Sequence, residues 1–298
     1  NGVTRGFHRL IVNPNHLTVH EAAERTIRQI EAFDECDQYI LLHVADTHTR
    51  SIMADMLPLS TQTHMPFEER LLCEEGEKTS VFLPWRPIYS HANQEGIRRI
   101  DRVLGELFSY LESRFAPDEY VVHLYSDHGV PVYEKEPYPT SENQACAALM
   151  LRGAGVPSVG HCAELVSGLD FYPIVARSLG VSPTHAMDGN LPAILGGKER
   201  EYVVSSTQFP GQPYRVSIRT QLHECRMESV FPVTQEGTVD LAGAGIEIYM
   251  RESHERVEDE ALYGYFLSLL DEHTRSFNTE GHEWPAHFME KVRQSWRT

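Results

Sequence analysis

The segment Ser126-Asp127-His128-Gly129 is the strongest candidate for chemistry in the sequence. It follows an apolar run at residues 120–125, and α/β proteins bind their ligands at the carboxyl ends of such strands. Aspartate supplies a hard oxygen and histidine an imidazole nitrogen, which suits Mn²⁺, Zn²⁺, Mg²⁺ or Ca²⁺. Gly129 allows a sharp turn of the backbone beside an ion. The pattern predicts a divalent-metal site at Asp127 and His128. The alternative is an aspartate that caps the next helix beside a surface histidine.

A second polar cluster, His43-x-x-Asp46-x-His48, ends another apolar run at residues 38–45. That run is typical of a buried strand, so its polar end would open onto the same edge of a sheet. A histidine there can hydrogen-bond an anionic substrate oxygen or protonate a leaving group. We expect His48, beyond the strand end, to be the catalytic residue. We expect His43 to lie in the core or behind the site. A polar β-turn is the alternative interpretation.

Apolar periodicity indicates the elements that would position these clusters. Thr18-x-x-Glu21 has the spacing of a capping box and predicts a helix that runs to about residue 33. Residues 58–90 mix Pro, Ser, Thr and Glu and predict a long irregular excursion. Further elements are predicted as a long amphipathic helix across 97–111, an apolar run at 145–151 and a helix at 169–179 that stops at Gly180. This order of strands and helices predicts an α/β sheet covered on both faces.

The character of the sequence changes near residue 200. Alternating runs at 214–219 and 246–250 predict antiparallel strands with one solvent-facing side. Two helices are expected to follow, one with apolar residues between 262 and 270 and one at 285–296. We therefore expect residues 1–200 to form an α/β domain and residues 201–298 a smaller α+β subdomain.

Composition limits the partners. The net charge of −17 argues against nucleic acid or an anionic membrane surface. It is compatible with a small anionic substrate, because a bound metal ion inverts the local field. No stretch approaches the roughly 18 apolar residues of a membrane span.

Five cysteines without CxxC spacing favour free thiols in a reducing compartment, with disulfides as the alternative. The start of the chain has no signal-peptide pattern, which favours a cytoplasmic location. Because the first residue is Asn rather than Met, a lost leader is the alternative.

Six segments follow one another in an order that carries a family resemblance. They lie at residues 43–48, 97–101, 126–129, 148–157, 169–180 and 187–196. Together, over about residues 17–205, they resemble the second half of the sulfatase branch of the alkaline-phosphatase superfamily. That branch includes arylsulfatases, phosphonate monoester hydrolases and lipoteichoic-acid-synthase-type phosphotransferases. The resemblance implies a sulfatase-like central sheet flanked by helices, with the smaller C-terminal subdomain matched only loosely.

The resemblance also implies roles for individual residues. Asp127 and His128 match two metal ligands of the family, and His rather than Asn at 128 resembles the subgroups that use Mn²⁺-like ions. Mn²⁺ or Ca²⁺ is therefore expected, with Mg²⁺ or Zn²⁺ as alternatives. His48 matches the histidine that contacts the anionic group or the leaving oxygen. Lys135 falls where sulfatases often carry a substrate-contacting lysine, although a surface lysine is the alternative.

The nucleophile of the family has no counterpart in this sequence. In the family it stands in a C/S-x-P-x-R motif, and none of the five cysteines is followed by x-P-x-R. In Pro84-Trp85-Arg86 the corresponding position is Phe82. We therefore expect no nucleophile in this chain, which would make it a fragment of a longer protein or a degenerate relative.

The resemblance implies a metal-dependent hydrolase of sulfate, phosphate or phosphonate esters. The first alternative is a non-catalytic fragment or pseudoenzyme of the sulfatase fold with a binding or structural role. The second is an aminopeptidase-like or cytosolic metallohydrolase that uses the same Asp–His residues.

Overall fold

The computed structural model describes residues 7–11, 18–44, 46–47, 87–129, 140–182, 186–208, 210–235 and 237–278. These residues fall into two compact units. The first contains the described residues up to Glu119 and the second those from Tyr120 onwards.

Two helices form the first unit. Helix α1 (Val19–Ala32) begins with the predicted capping box, in which Thr18 and Glu21 each accept a backbone N–H of the other. Helix α2 (Pro87–Arg114) packs on it, and the core between them contains Val19, Ala23 and Val103. The predicted excursion at 58–90 is wrong at its end, because α2 begins at residue 87. Proline suits a first helical position, where its missing N–H costs nothing. Residues 58–86 lie outside the described part.

The predicted buried strand at 38–45 is wrong for its described residues, 38–44. They belong to no strand, and Tyr39 and Leu41 are about half exposed. His43 is also exposed, so it does not lie in the core, which was one of the two positions expected for it. A strand needs a partner for its backbone hydrogen bonds, and no described residue forms a ladder with this segment.

A two-stranded antiparallel sheet opens the second unit. Strand β1 (Val121–Tyr125) pairs with β2 (Leu149–Gly153), with Val121 opposite Gly153 and Tyr125 opposite Leu149. The strand predicted at 120–125 is thus confirmed, but it is half-buried rather than buried. The reason is that, among the described residues, β1 has one neighbouring strand and an exposed end at Tyr125. A single helical turn, α3 (Glu142–Ala145), precedes β2.

Helix α4 (Phe171–Ser178) covers part of this sheet. The ring of Phe171 stacks on Tyr125 with 3.8 Å between ring centroids. A 3₁₀ turn at Gly168–Asp170 leads into the helix, and Gly180 follows it with a φ of 64°. Glycine adopts this left-handed conformation without steric cost, so the predicted stop at Gly180 is confirmed.

The remaining strands form a four-stranded antiparallel sheet, the C-terminal sheet. Its order is β3 (Val203–Thr207), β4 (Pro213–Arg219), β5 (His223–Pro232) and β6 (Gly245–Met250). Helix α5 (Glu260–Asn278) packs on one face. The strands predicted at 214–219 and 246–250 are confirmed, and so is the helix predicted around residues 262–270. Strands β3 and β5 were not predicted from the sequence. The helix predicted at 285–296 lies outside the described residues. The core contains Tyr214, Val216, Ile218, Cys225, Met227, Ile246, Ile248, Phe266 and Leu270.

The mixed α/β class predicted from the sequence is confirmed. The division into 1–200 and 201–298 stays a prediction. In the described residues, none of the helices combines the length and the apolar character that a membrane crossing requires.

Candidate metal centre

Asp127 and His128 stand on a loop that leaves the carboxyl end of β1. Ser126 extends the pairing of β1 with β2, because its N–H donates to Ala148 O (3.0 Å) and its Oγ accepts the Ala148 N–H (2.8 Å). At the other side of the pair, the Gly129 N–H donates to Gln144 O at 2.8 Å. The backbone is therefore fixed immediately before and after the two candidate ligands.

Position 129 requires glycine because the surrounding backbone leaves no space for a Cβ atom. A Cβ atom at this position would lie 2.0 Å from Asn143 O and 2.9 Å from Cys146 O. Both are backbone atoms, so they cannot move aside as the end of a flexible side chain would. Gly129 lacks the positive φ of the chain's left-handed glycines. The turn predicted from the sequence thus depends on close contact of the loop with α3.

The His128 ring is oriented by its own neighbour. Its Nδ1 lies 2.6 Å from Gly129 O, so Nδ1 carries the proton and donates to the carbonyl. In the neutral tautomer of this form Nε2 has the lone pair, the arrangement found in metal-ligating histidines whose second nitrogen donates to a carbonyl. Asp127 Oδ1 accepts the His128 N–H at 3.0 Å. In that tautomer Nε2 can donate its lone pair to a metal ion.

The two candidate donor atoms face the same space. His128 Nε2 lies 3.6 Å from Asp127 Oδ2, and the two side chains are 56% and 84% exposed. This separation matches that of neighbouring ligands of one ion with bonds of about 2.2–2.5 Å. The pair therefore fits a divalent cation as two of its ligands. Among the described residues, no group of three or more His, Cys, Asp or Glu forms a complete metal site.

The roles expected for the other two predicted site residues stay predictions. His48 and Lys135 lie outside the described residues. Asp46 is described and is buried in the first unit, where its Oδ2 accepts the Val19 N–H at 3.0 Å. Burial raises the pKa of Asp46, against the lowering effects of that hydrogen bond and of Arg99 and His20. In the described residues Asp46 therefore serves as a support for the start of α1.

A histidine on β1 that was not among the predicted site residues has a structural role. His123 Nε2 lies 2.9 Å from Ser178 Oγ, and that hydroxyl donates to Ile174 O at 3.1 Å. Since the single hydroxyl proton is used, His123 Nε2–H donates to Ser178. Burial lowers the pKa of His123, which keeps the ring neutral. His123 therefore ties β1 to α4.

Two of the six segments that carry the sulfatase resemblance, residues 169–180 and 187–196, are joined by hydrogen bonds. Asp170 is buried, and its carboxylate accepts the N–H groups of Ser167 (2.8 Å) and Asn190 (2.7 Å). It also pairs with both the Nε and an Nη of Arg200. A Cβ on Gly189 would lie 2.0 Å from Leu169 O. The aspartate and the glycine of these segments thus join residues 169–180 to residues 187–196 and have structural roles.

Comparison with solved structures identifies the fold. A 2-O GAG sulfatase matches 66% of this chain and 45% of its own length, with a TM-score of 0.51 and 14% identity. A protein assigned as a sulfatase from Bacteroides thetaiotaomicron matches 97% of this chain and 73% of its own, with a TM-score of 0.56 and 14% identity. Another from Bacteroides fragilis matches 92% and 60%, with a TM-score of 0.59 and 16% identity.

These matches confirm the resemblance at the level of fold: the chain has a sulfatase-like fold. It spans 45% of the length of the first of these structures and 60% of the length of the third. The sequence itself matches no protein-family model and no curated protein.

Proposed function

We propose that this chain contributes part of the divalent-metal site of a sulfatase-like hydrolase that acts on sulfate, phosphate or phosphonate esters. The observation that supports the proposal best is the 3.6 Å separation of His128 Nε2 and Asp127 Oδ2 on a fixed loop. In the neutral tautomer with the proton on Nδ1, which bonds to Gly129 O, Nε2 has a lone pair for a metal ion.

Within this proposal each residue has a distinct task. Asp127 and His128 hold a Mn²⁺ or Ca²⁺ ion, while His48 contacts the anionic group or the leaving oxygen and Lys135 adds a substrate contact. When bound, such an ion supplies Lewis acidity toward the ester oxygen. A 2-O GAG sulfatase is among the structural relatives, so sulfate esters are the first substrate class to test.

A non-catalytic binding role is the second candidate. It is favoured by the sequence, which contains no C/S-x-P-x-R motif in its 298 residues. In both candidates the Asp127–His128 pair binds the ion, so metal binding is the property to test first in this chain.

The test is a Mn²⁺ titration followed by electron paramagnetic resonance of the free ion. With two protein ligands we expect weak binding, with a dissociation constant of about 10⁻⁴–10⁻³ M, the weak end of protein cation sites. Asp127→Asn and His128→Ala should each abolish the saturable component. Asp188→Asn and His161→Ala are matched controls, because both side chains are exposed residues of the same unit. Saturable Mn²⁺ binding that is as strong in all four variants as in the wild-type chain would refute the proposal.

A further inference from the structure

The loop that carries Asp127 and His128 rests on a very short helix. Gly129 donates its N–H to Gln144 O, and Gln144 belongs to α3, which has four residues. A single helical turn is unstable by itself, because nucleation fixes several dihedral angles for one hydrogen bond. The position of α3, and with it that of Gly129, must therefore be maintained by contacts with other elements.

Arg251, which follows β6, supplies the first of these contacts. Its Nε and an Nη both donate to Glu142 Oε1, the Nε at 2.7 Å. Its other Nη donates to Thr220 O at 2.9 Å, and its backbone N–H donates to Leu222 O at 2.9 Å. The planar guanidinium thus joins the first residue of α3 to the β4–β5 turn through a fixed fork of donors.

Arg219 on β4 supplies the second contact. It binds Thr140, which lies two residues before the start of α3. It is buried and donates both to Thr140 O and to the buried carboxylate of Glu224. The Thr140 hydroxyl also lies 2.6 Å from Ser217 Oγ. Both strand residues belong to the C-terminal sheet, so this sheet holds the chain on the approach to α3 as well as at its first residue.

We propose that Arg251 and Arg219 are positioning residues for the Asp127–His128 pair. The C-terminal sheet fixes residues 140–146, these residues fix Gly129, and Gly129 in turn orients the His128 ring through its carbonyl oxygen. The consequence for metal binding rests on the proposed function, whereas the link between the sheet and the loop does not.

Another arginine in the same sheet provides the control. Arg215 on β4 pairs with Glu228 on β5 through its Nε (2.8 Å) and an Nη (3.1 Å). This pair has the same two-donor form and is partly buried, as is the Arg251–Glu142 pair. The pair connects two strands within the C-terminal sheet and includes no residue of 140–146. Its loss should therefore leave the hydrogen bond of the Gly129 amide unchanged.

The experiment measures solvent exchange of the Gly129 amide by NMR in the complete chain. His128-Gly129 is the only His–Gly pair in the sequence, so ¹³C′-histidine with ¹⁵N-glycine labelling gives this amide a single resolved signal. In Arg251→Met the exchange should accelerate about tenfold, the scale expected from losing charge-assisted hydrogen bonds. In Arg215→Met it should stay unchanged. Glu142→Gln, which keeps the shape of the side chain, should accelerate exchange less and in the same direction.

The same variants are then titrated with Mn²⁺. Arg251→Met should weaken saturable binding severalfold, while Arg215→Met should not. Unchanged exchange in folded Arg251→Met and Glu142→Gln, or equal acceleration in Arg215→Met, would overturn the positioning role. Faster exchange together with a wild-type chain that binds no Mn²⁺ would retain the link between sheet and loop and reject the proposed function.

Discussion

Asp127 and His128 are held by backbone contacts. Ser126 and Gly129, on either side of the pair, bond to the backbones of Ala148 and Gln144. The two candidate ligand side chains are mostly exposed, so they contribute little to the stability of the fold. Their usefulness as ligands depends instead on how firmly the backbone between Ser126 and Gly129 is held.

Gly129→Ala should be strongly destabilising. The added Cβ would lie 2.0 Å from Asn143 O, so the backbone of the loop or of α3 must shift. We expect a loss of about 1–3 kcal/mol in the free energy of unfolding, the usual cost of overpacking. The measurement is urea unfolding followed by circular dichroism.

Gly264→Ala is the matched control for this substitution. Gly264 lies inside α5, and a Cβ there meets nothing within 4 Å. Alanine should stabilise the helix by about 0.5–1 kcal/mol, because glycine is a poor helix former. If Gly129→Ala were as stable as Gly264→Ala, the close contact of the loop with α3 would not exist in solution.

Helix α1 has two sources of support at its first turn. Thr18 and Glu21 form the capping box within the chain segment, and Asp46 accepts the Val19 N–H from 27 residues away. The second support has a defect, since Asp46 is buried and its Oδ1 has no hydrogen-bond partner in the described residues. A buried carboxylate with an unpaired oxygen is costly, which is why burial raises the pKa of Asp46.

The stability of α1 should consequently depend on pH. Because the pKa of Asp46 is raised in the folded chain, the neutral carboxyl contributes stability below the ordinary Asp pKa, and this contribution is lost as pH rises through the raised pKa. Asp46→Asn keeps an acceptor for Val19 and cannot ionise. Its melting temperature minus that of the wild type should therefore grow with pH across this window and then level off.

Asp46→Ala serves as the control, because it removes the acceptor for the Val19 N–H as well as the charge. It should be less stable than Asp46→Asn at every pH. A constant difference between Asp46→Asn and the wild type from pH 4 to pH 8 would show that Asp46 titrates alike in the folded and unfolded chains.

Local sequence patterns predicted the elements whose signal is local. The capping box of α1, the amphipathic faces of α2 and α5 and the stop at Gly180 all depend on neighbouring residues. Strand β5 escaped prediction because its apolar alternation is interrupted: Glu224 is buried on it beside Cys225. Glu224 pairs with Arg226 two residues further along β5 and with the buried Arg219 on the neighbouring strand β4, and pairing across strands is not visible in a local pattern.

The same distinction applies to the candidate site. Residue types and a preceding strand were enough to propose Asp127 and His128 as metal ligands, a role that stays a prediction. The support of the loop could not be predicted, because Arg251 and Glu142 are 109 residues apart. The strand expected at residues 38–45 failed for a related reason, since an apolar run becomes a strand only where a partner strand is present.

At the scale of the whole molecule, charge affects every measurement of metal binding. The chain has 43 acidic and 26 basic residues, with a formal net charge of −17. Such a charge attracts divalent cations to the whole surface and destabilises the compact state by self-repulsion. Mn²⁺ will therefore stabilise the fold in part by neutralising this repulsion, whether or not it occupies the Asp127–His128 pair.

Salt should separate the two effects. The screening length falls from about 30 Å at 0.01 M to about 8 Å at 0.15 M ionic strength, so the general effect weakens while direct ligation persists. At low salt, Mn²⁺ should raise the melting temperatures of the wild type, Asp127→Asn and Asp188→Asn. At 0.15 M salt and an ion concentration of about twice the dissociation constant, site occupancy adds about 0.6 kcal/mol. For a chain of this size that corresponds to a shift of about 1–2 °C, which Asp127→Asn should lose. Asp188→Asn carries the same change of charge and should keep the shift. If both variants lost the Mn²⁺-induced rise in melting temperature, that rise would depend on net charge alone and not on the Asp127–His128 pair.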